Sequence, residues 1–109
     1  MEYYREWIEL GHRFAIVIIP AVDSDGRELH AVWLKQLKEG QNDWDPLLKE
    51  GSTFLDNNVS EQFLLSKALT VDIAGDYASG LSNRLKLRVF RIENDDLRDS
   101  HRIIEHKIT

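Results

Sequence analysis

An unbroken apolar run, Phe14 to Ile19, stands out in the hydrophobic pattern of the chain. Its β-branched residues lose little rotamer freedom on a pleated surface, so the run favours a β-strand. A strand with one wet face alternates apolar and polar residues, whereas a continuous apolar run needs cover on both faces. Pro20 has no N–H to donate, and strand pairing is expected to end or bulge there. We therefore predict a strand that is buried on both sides.

A second apolar segment, Leu29 to Leu37, follows the tetrapeptide Asp23-Ser24-Asp25-Gly26. Asp and Gly tolerate turn conformations that β-branched residues resist, so the tetrapeptide predicts a hairpin turn. Apolar residues occupy both faces of the second strand, which indicates that it is also substantially buried. We interpret His30 as a satisfied core or edge histidine, because neighbouring residues supply no further metal ligands.

Three segments have helical signals. Glu2 to Leu10 carries apolar residues at helical spacing, with an extended edge strand as the alternative. Asp45 to Gly51 combines a capping Asp, a proline and a closing glycine, which predicts one short helical turn. Val59 to Ala68 has Val59, Phe63 and Lys67 at i, i+4 and i+8, and we predict a second helix there.

Strand patterns return in the second half of the chain. Leu69 to Ile73 alternates as a half-buried strand does, and Gly75 to Asn83 is rich in turn residues. Arg84 to Ile92 is predicted to be a strand, although Phe90 and Ile92 break its alternation. That break indicates either a bulge or a second burial partner. Residues 94–108 fit a helix or a strand that pairs back, and their terminal β-branched residues favour the strand.

These elements predict an α+β fold. We expect a mainly antiparallel sheet of about four or five strands with one or two helices on one face, formed by residues 1–109 as a single domain. An all-β sandwich is the alternative, and it requires both Glu2 to Leu10 and Val59 to Ala68 to be strands. Apolar residues on both faces of the first hairpin also favour a homo-oligomer.

Composition narrows the class of protein. The chain has no cysteine, which excludes disulfides and thiolate chemistry and suits a reducing compartment. The first residues are charged, and no apolar stretch approaches the ~18 residues of a membrane span, so a cytoplasmic protein is expected. A net charge of −5 disfavours binding to nucleic acid or to acidic membranes.

The candidate partner-binding residues are aromatic and basic. Trp44 lies between two carboxylates and is either an exposed anchor or a lid over the core, and we favour the lid. Tyr77 lies in the turn-rich connection and looks exposed. Arg84, Lys86 and Arg88 alternate along the last predicted strand, so they share one face and can contact an anionic partner. We favour a solvated face, paired with acids such as Asp72, over that binding role.

Several segments resemble known site motifs but lack an essential residue of each. Gly75 to Ser82 resembles a phosphate-binding loop, but Leu81 stands where the essential lysine belongs. Asp23 to Glu28 resembles a calcium loop, but Val32 stands where its bidentate glutamate belongs. The four histidines have no metal-binding spacing. We therefore predict no catalytic residues, cofactor or metal.

Two classes of function remain. We favour a non-catalytic interaction protein, such as a regulator, an inhibitor, an immunity-type partner, or a phage or assembly component. The alternative is a small enzyme or ligand-binding domain whose site forms between subunits, from groups such as His12, His30, Asp72 and Arg88. A deep pocket with converging polar groups would favour the alternative, whereas a filled core with shallow clefts would favour the first class.

Overall fold

One mixed β-sheet with a helix packed on it forms the framework of the protein. The structure is a computed structural model that describes residues 6, 8, 9, 13–22, 25–38, 44, 45, 58–95 and 100–106. Its elements are β1 (Phe14–Val22), β2 (Glu28–Leu37), β3 (Val59–Leu69), α1 (Val71–Leu85), β4 (Val89–Asp95) and β5 (Ser100–Glu105). The five-stranded sheet has the order β3-β2-β1-β4-β5. Neighbouring strands are antiparallel except β1 and β4, which are parallel. The α+β prediction is confirmed.

The predicted first hairpin is present. β1 pairs with β2 without interruption from Phe14 opposite Gln36 to Val22 opposite Glu28. Gly26, in the turn, has φ of 79°, a left-handed conformation that glycine adopts at little cost. The apolar pattern and the turn chemistry therefore agree on this part of the chain, which supplies the two central antiparallel strands.

β1 is buried on both faces, as its continuous apolar run predicted. On one side it joins the helix-face cluster, formed by Phe14, Ile16, Ile18, Val32, Leu34, Ala74, Ala78, Leu81 and Val89. On the other side it joins the far-face cluster, formed by Ala15, Val17, Leu37, Trp44, Phe90, Ile92 and Ile103. The far-face cluster explains why Phe90 and Ile92 break the alternation of β4, because this strand also has a burial partner on each side.

Helix α1 occupies a region where we predicted a strand and a loop, so the strand at Leu69 to Ile73 and the connection at Gly75 to Asn83 are wrong. Ala74, Ala78 and Leu81 recur at helical spacing and are buried against the sheet. Because alanine is small, the helix can approach the strands closely. The two glycines of the helix cost roughly 1 kcal/mol each in propensity, and this burial outweighs that cost.

Strand β3 occupies the region that we predicted as the helix Val59 to Ala68, and that prediction is wrong. β3 pairs with β2 at the edge of the sheet, with irregular register at three places. Phe63 and Leu65 pack against the helix-face cluster, whereas Leu64 is 45% exposed. Long-range pairing with β2 overrides the helical spacing of the sequence, since propensity is a weak guide when a partner strand is available.

The last predicted strand is only half correct. α1 continues to Leu85, and Lys86 ends it with a left-handed φ of 60° while its N–H donates to the Ser82 carbonyl. β4 then begins at Val89, so Arg84, Lys86 and Arg88 do not share a strand face. The tail forms β5, which confirms the strand alternative for that segment.

The N-terminal prediction is consistent with the described residues. Glu6, Ile8 and Glu9 are helical, and Ile8 packs against the helix-face cluster. The rest of Glu2 to Leu10, and the short helical turn predicted after Asp45, lie outside the described residues. Within the part of the chain that the structure describes, no helix combines the length and the apolar character needed to cross a membrane.

Trp44 is a lid on the far face of the sheet and not an exposed anchor. Its side chain is 5% exposed, and its ring lies 5.8 Å from the ring of Phe90 between centroids. The guanidinium of Arg88 stacks over Phe90 at 5.1 Å and donates 2.7 Å from Nη2 to Oδ1 of Asp45, which adjoins the lid. It also donates to both carboxylate oxygens of Glu105, at 2.9 and 3.0 Å. Arg88 thus ties the lid to β4 and β5.

These ion pairs change the ionisation of their members. The hydrogen bond from Arg88 is the main cause that lowers the pKa of Glu105, and partial burial opposes it. The same hydrogen bond is the main cause that raises the pKa of Arg88 above its ordinary value. Since all three charged side chains remain partly exposed, water screens their attraction and its contribution to stability is modest.

Replacing the lid should destabilise the fold strongly. We expect Trp44→Ala to lower the free energy of unfolding by about 3 kcal/mol or more, because it removes a buried indole and leaves a cavity. Urea denaturation followed by circular dichroism measures the loss. Trp33→Ala is the matched control, because Trp33 is only half-buried. Equal losses for the two variants would contradict the lid assignment.

The Arg88–Glu105 pair should make stability depend on pH in the acidic range. The pKa of Glu105 is lower in the folded protein than its ordinary value of 4.5. The ion pair therefore stabilises the fold above about pH 4.5, and this stabilisation is lost as the pH falls through the pKa of the folded state. We expect Glu105→Gln to be slightly less stable at neutral pH and to lose less stability on acidification. Urea denaturation midpoints measured across this pH range test both expectations. Glu61→Gln is the control, because Glu61 is an exposed acid on the edge strand β3.

Candidate functional site

A cleft opens where the parallel strands β1 and β4 separate. Their pairing runs from Ile16 opposite Val89 to Ile18 opposite Arg91. In β1 the even-numbered residues direct their N–H groups toward β4, as Ile16 does when it donates to the carbonyl of Arg88. Pro20 is the even-numbered residue after Ile18 and has no N–H, so it cannot extend this ladder. The interruption predicted at Pro20 therefore occurs, but only on the side of β4.

The cleft has a volume of about 710 Å³ and lies beyond the carboxyl halves of β1 and β4, beside the start of α1. Its lining combines apolar and polar side chains, namely Ile18, Pro20, Ala21, Glu28, His30, Thr70, Val71, Arg91, Ile92 and Glu93. Crevices at the carboxyl ends of parallel strands are common ligand sites in proteins that contain such strands, because loops and helix starts converge there. The cleft is therefore the candidate site.

Arg91 supplies the positive charge of the cleft. Its Nη2 donates to Oε1 of Glu93, which follows it on the same face of β4, at 2.9 Å. Its Nε is buried and has no hydrogen-bond partner among the described residues. A buried donor without a partner costs roughly 1–3 kcal/mol, so an acceptor brought by a ligand would offset that cost.

The start of α1 adds donors to the same side of the cleft. Thr70 precedes the helix with extended backbone angles, φ −65° and ψ 162°, and its side chain makes no capping hydrogen bond. Its carbonyl accepts the first helical bond, from the N–H of Ala74. The N–H groups before Ala74 have no partner within the helix, and they carry the positive end of the helix dipole. Since Thr70 and Val71 line the cleft, this end of the helix favours a negative group there.

His30 and Glu28 stand on the β2 side of the cleft. The His30 side chain is 12% exposed, and its Nε2 lies 3.8 Å from Oε1 of Glu28, whose side chain is 76% exposed. That separation is too long for a hydrogen bond. The sequence placed His30 in the core or at its edge, and the structure places it at the border between the helix-face cluster and the cleft.

His106 lies next to this site without lining the cleft. Its N–H donates to the carbonyl of Val89 at 2.8 Å, and its ring faces Gly75 of α1. Burial is the main cause that lowers the pKa of His106, and the positive charge of Arg91 lowers it further. The fold therefore favours the neutral imidazole, which adds no second positive charge beside Arg91.

The cleft combines several kinds of polar group with apolar walls. Among the described lining residues, Thr70 carries a hydroxyl, and His30, Glu28 and Glu93 carry groups that can accept or donate a proton. Among the residues that the structure describes, no group of three or more His, Asp or Glu side chains is placed to hold a metal ion. What the cleft does offer is a guanidinium, a helix start, two carboxylates and apolar walls, an arrangement suited to a small polar molecule.

The sequence-predicted partner-binding residues do not converge on the cleft. Trp44 is buried on the far face, where Arg88 forms its ion pairs. Tyr77 is 38% exposed on α1, and its hydroxyl donates 3.5 Å to the Leu65 carbonyl. Arg84 lies in the last turn of α1, and Lys86 ends the helix. Because α1 replaces the predicted strand, Tyr77 and Arg84 lie on the exposed surface of the helix, whereas Trp44 and Arg88 lie on the far face of the sheet.

The groups suggested for an inter-subunit site do not all lie on one face of the sheet. His30 lies on the helix face of the sheet, Arg88 lies on the far face, and Asp72 lies exposed in the first turn of α1. His12 is outside the described residues. Sequence reasoning missed Arg91 as a site residue, although Pro20 was a usable signal. A proline late in a strand that is buried on both sides marks where one neighbouring strand must leave.

Comparison of the chain with protein-family models, with curated proteins and with solved structures finds no match.

His106 should give the protein a second pH dependence, above the acidic range of Glu105. Its pKa is lowered from 6.5 in the fold, so stability falls as the pH drops through about 6.5, where the unfolded chain takes up the proton first. We expect His106→Gln to remove this loss, as measured by urea midpoints on either side of that pH. Arg91→Gln should weaken it only in part, since burial is the larger cause. An unchanged slope in His106→Gln would contradict the assignment.

Proposed function

We propose that the protein is a non-catalytic binding domain for a small molecule that carries a carboxylate or similar anionic group on an apolar body. The observation that carries this proposal is Arg91, which lines the cleft and has a buried Nε–H with no partner among the described residues. A carboxylate is the natural acceptor for a guanidinium, because its two oxygens match the spacing of the donors. The uncapped start of α1 supports the same choice.

The size and the walls of the cleft support a small organic ligand. Its volume of about 710 Å³ falls within the range of roughly 300–1,000 Å³ that is typical of small-molecule sites. Ile18, Pro20 and Val71 provide apolar surface around the polar groups. A ligand with an apolar portion would displace water from these side chains and gain binding free energy.

The acidic residues of the cleft argue against a polyanion. Glu93 already neutralises part of the charge of Arg91, and Glu28 adds a second carboxylate at the border of the cleft. A nucleotide or a nucleic acid would bring several phosphates toward these groups and toward a chain of net charge −5. One carboxylate, placed between Arg91 and the helix start, meets less of this repulsion than several phosphates would.

Contact with another protein is a second candidate function. Its support is the exposed apolar surface of α1, where Ile73 is 55% exposed and Tyr77 is 38% exposed. A role in the cytoplasm accompanies both candidates as part of the proposal, and it is supported by the absence of cysteine from the whole chain.

The proposal predicts which probe molecules bind. We expect isocaproate to bind saturably, leucine to bind comparably or more weakly, and isoamylamine, which has the same carbon skeleton without a carboxylate, not to bind. Amide chemical shifts in two-dimensional NMR follow each titration, and the residues at the start of α1 and around Arg91 should move. Binding of isoamylamine but not of isocaproate would contradict the proposal, and so would the absence of a saturable change in amide chemical shifts with any of the three probes.

A substitution at Arg91 tests the residue that carries the proposal. We expect Arg91→Gln to weaken isocaproate binding by about tenfold or more, the worth of one charged hydrogen bond. Arg13→Gln is the matched control, because Arg13 is exposed at the opposite end of β1. Equal affinities for Arg91→Gln and Arg13→Gln would place the binding elsewhere.

A further inference from the structure

One exposed surface of α1 carries both apolar and charged residues. Its residues fall at the spacing i, i+3, i+4, i+7 and i+11, and we call them the outer helix face: Ile73, Asp76, Tyr77, Gly80 and Arg84. All five residues are exposed, and the face contains two of the large exposed hydrophobic side chains among the described residues. It therefore combines apolar surface with one charge of each sign.

Gly80 lies at the middle of the outer helix face. An added Cβ at this position would meet no atom of the described residues within 4 Å, so packing against this part of the subunit does not require glycine. Its φ is not positive, so backbone conformation does not require glycine either. Glycine in a helix interior lowers helix stability, and its one structural benefit here is that another backbone can approach the helix closely.

The charges of the outer helix face are arranged symmetrically about Gly80. Asp76 precedes Gly80 by four residues and Arg84 follows it by four. When two copies of a helix pack antiparallel about a two-fold axis at residue 80, residue 76 of one copy lies level with residue 84 of the other. Both lie about 6 Å along the helix from the crossing point, within reach of an arginine side chain. The face is thus complementary in charge to itself, and neither side chain has an ion-pair partner among the described residues.

We propose that α1 is a homodimer interface in which two copies cross antiparallel at Gly80. Each Asp76 pairs with Arg84 of the second copy, and Ile73 and Tyr77 become buried on either side of the crossing. The two-fold arrangement satisfies both charges twice and covers the exposed apolar side chains. The occupant of the outer helix face is therefore a second copy of this chain.

The edge of the sheet is a poorer surface for self-association. β3 is the outer strand on that side, but its register with β2 is irregular at three places. Bulges twist an edge strand and prevent it from pairing with another strand, which is a common protection against edge-to-edge association. Leu64 is exposed on β3, with Glu61 and Lys67 three residues before and after it, so the irregular register is the feature that disfavours pairing of two copies at this edge.

Charge reversal at the crossing tests the interface directly. Analytical ultracentrifugation over a wide concentration range should show a monomer–dimer equilibrium for the native chain. Asp76→Arg and Arg84→Asp should each weaken dimerisation by about tenfold or more, because each variant brings like charges together twice. The double variant Asp76→Arg/Arg84→Asp should restore most of the affinity. Lys67→Glu on β3 is the control and should leave the equilibrium unchanged.

Substitutions at Gly80 separate an interface role from a role within the subunit. Gly80→Gln should raise the thermal midpoint of the monomer, because glutamine favours the helix, and yet weaken dimerisation by about tenfold or more. Gly80→Cys should form a disulfide-linked dimer under mild oxidation, since the two cysteines would meet at the axis and the native chain has no other. Lys67→Cys is the control and should not form a disulfide-linked dimer under the same conditions.

Three results would overturn the interface. They are a native chain that stays monomeric at every concentration, a double charge reversal that dimerises no better than the single variants, and a Gly80→Gln chain that dimerises like the native one. Loss of dimerisation in Lys67→Glu would assign self-association to the edge of the sheet. Circular dichroism of each variant confirms that it is folded before its equilibrium is interpreted.

Discussion

Burial of β1 on both faces is the constraint on which the rest of this structure depends. The five residues Phe14 to Ile18 are each at most 4% exposed, and successive side chains enter opposite clusters. Such a strand is stable only at the centre of the sheet with a layer of side chains above and below. β2 and β4 flank it, α1 covers one face, and the Trp44 lid with its Arg88 ion pairs covers part of the other.

The parallel pairing of β1 and β4 determines where a binding site can lie. The chain leaves β3 at one edge of the sheet, crosses the helix face as α1 and returns as β4 beside β1. This crossover places the start of the helix over the carboxyl ends of the two parallel strands. Pro20 then ends the β1–β4 ladder on that side, just after Arg91 of β4 pairs with Ile18. The cleft is therefore a consequence of topology and of one missing N–H group.

Different residues of helix α1 contact the sheet, border the cleft and form its exposed outer face. Ala74 and Ala78 bring it close to the sheet, its first turn borders the cleft, and its outer face carries Asp76 and Arg84 around Gly80. The side chains that pack the helix on the sheet are thus not those of the proposed dimer interface. For this reason the proposed ligand site and the proposed dimer interface use different residues of one helix.

The sequence alone determined the hairpin, the fold class and the burial of β1, since these follow from local residue chemistry. A continuous β-branched run has few solutions other than a buried strand, and Asp25-Gly26 has few other than a turn. The sequence also indicated that the tail forms a strand and that Trp44 is a lid. It misassigned residues 59–69 and 71–85, because each carries a local pattern that conflicts with its tertiary role.

Only the tertiary structure decided those two segments and the candidate site. Strand β3 has helix-favouring residues, but β2 offers it an unpaired neighbour about 30 residues away in the chain. α1 has glycines and β-branched residues, but its alanines fit closely on the sheet. Arg91, His30 and Thr70 come from three different elements and meet only when β4 lies beside β1. A local sequence pattern cannot predict that these three residues lie close together, because the long-range pairing of strands brings them there.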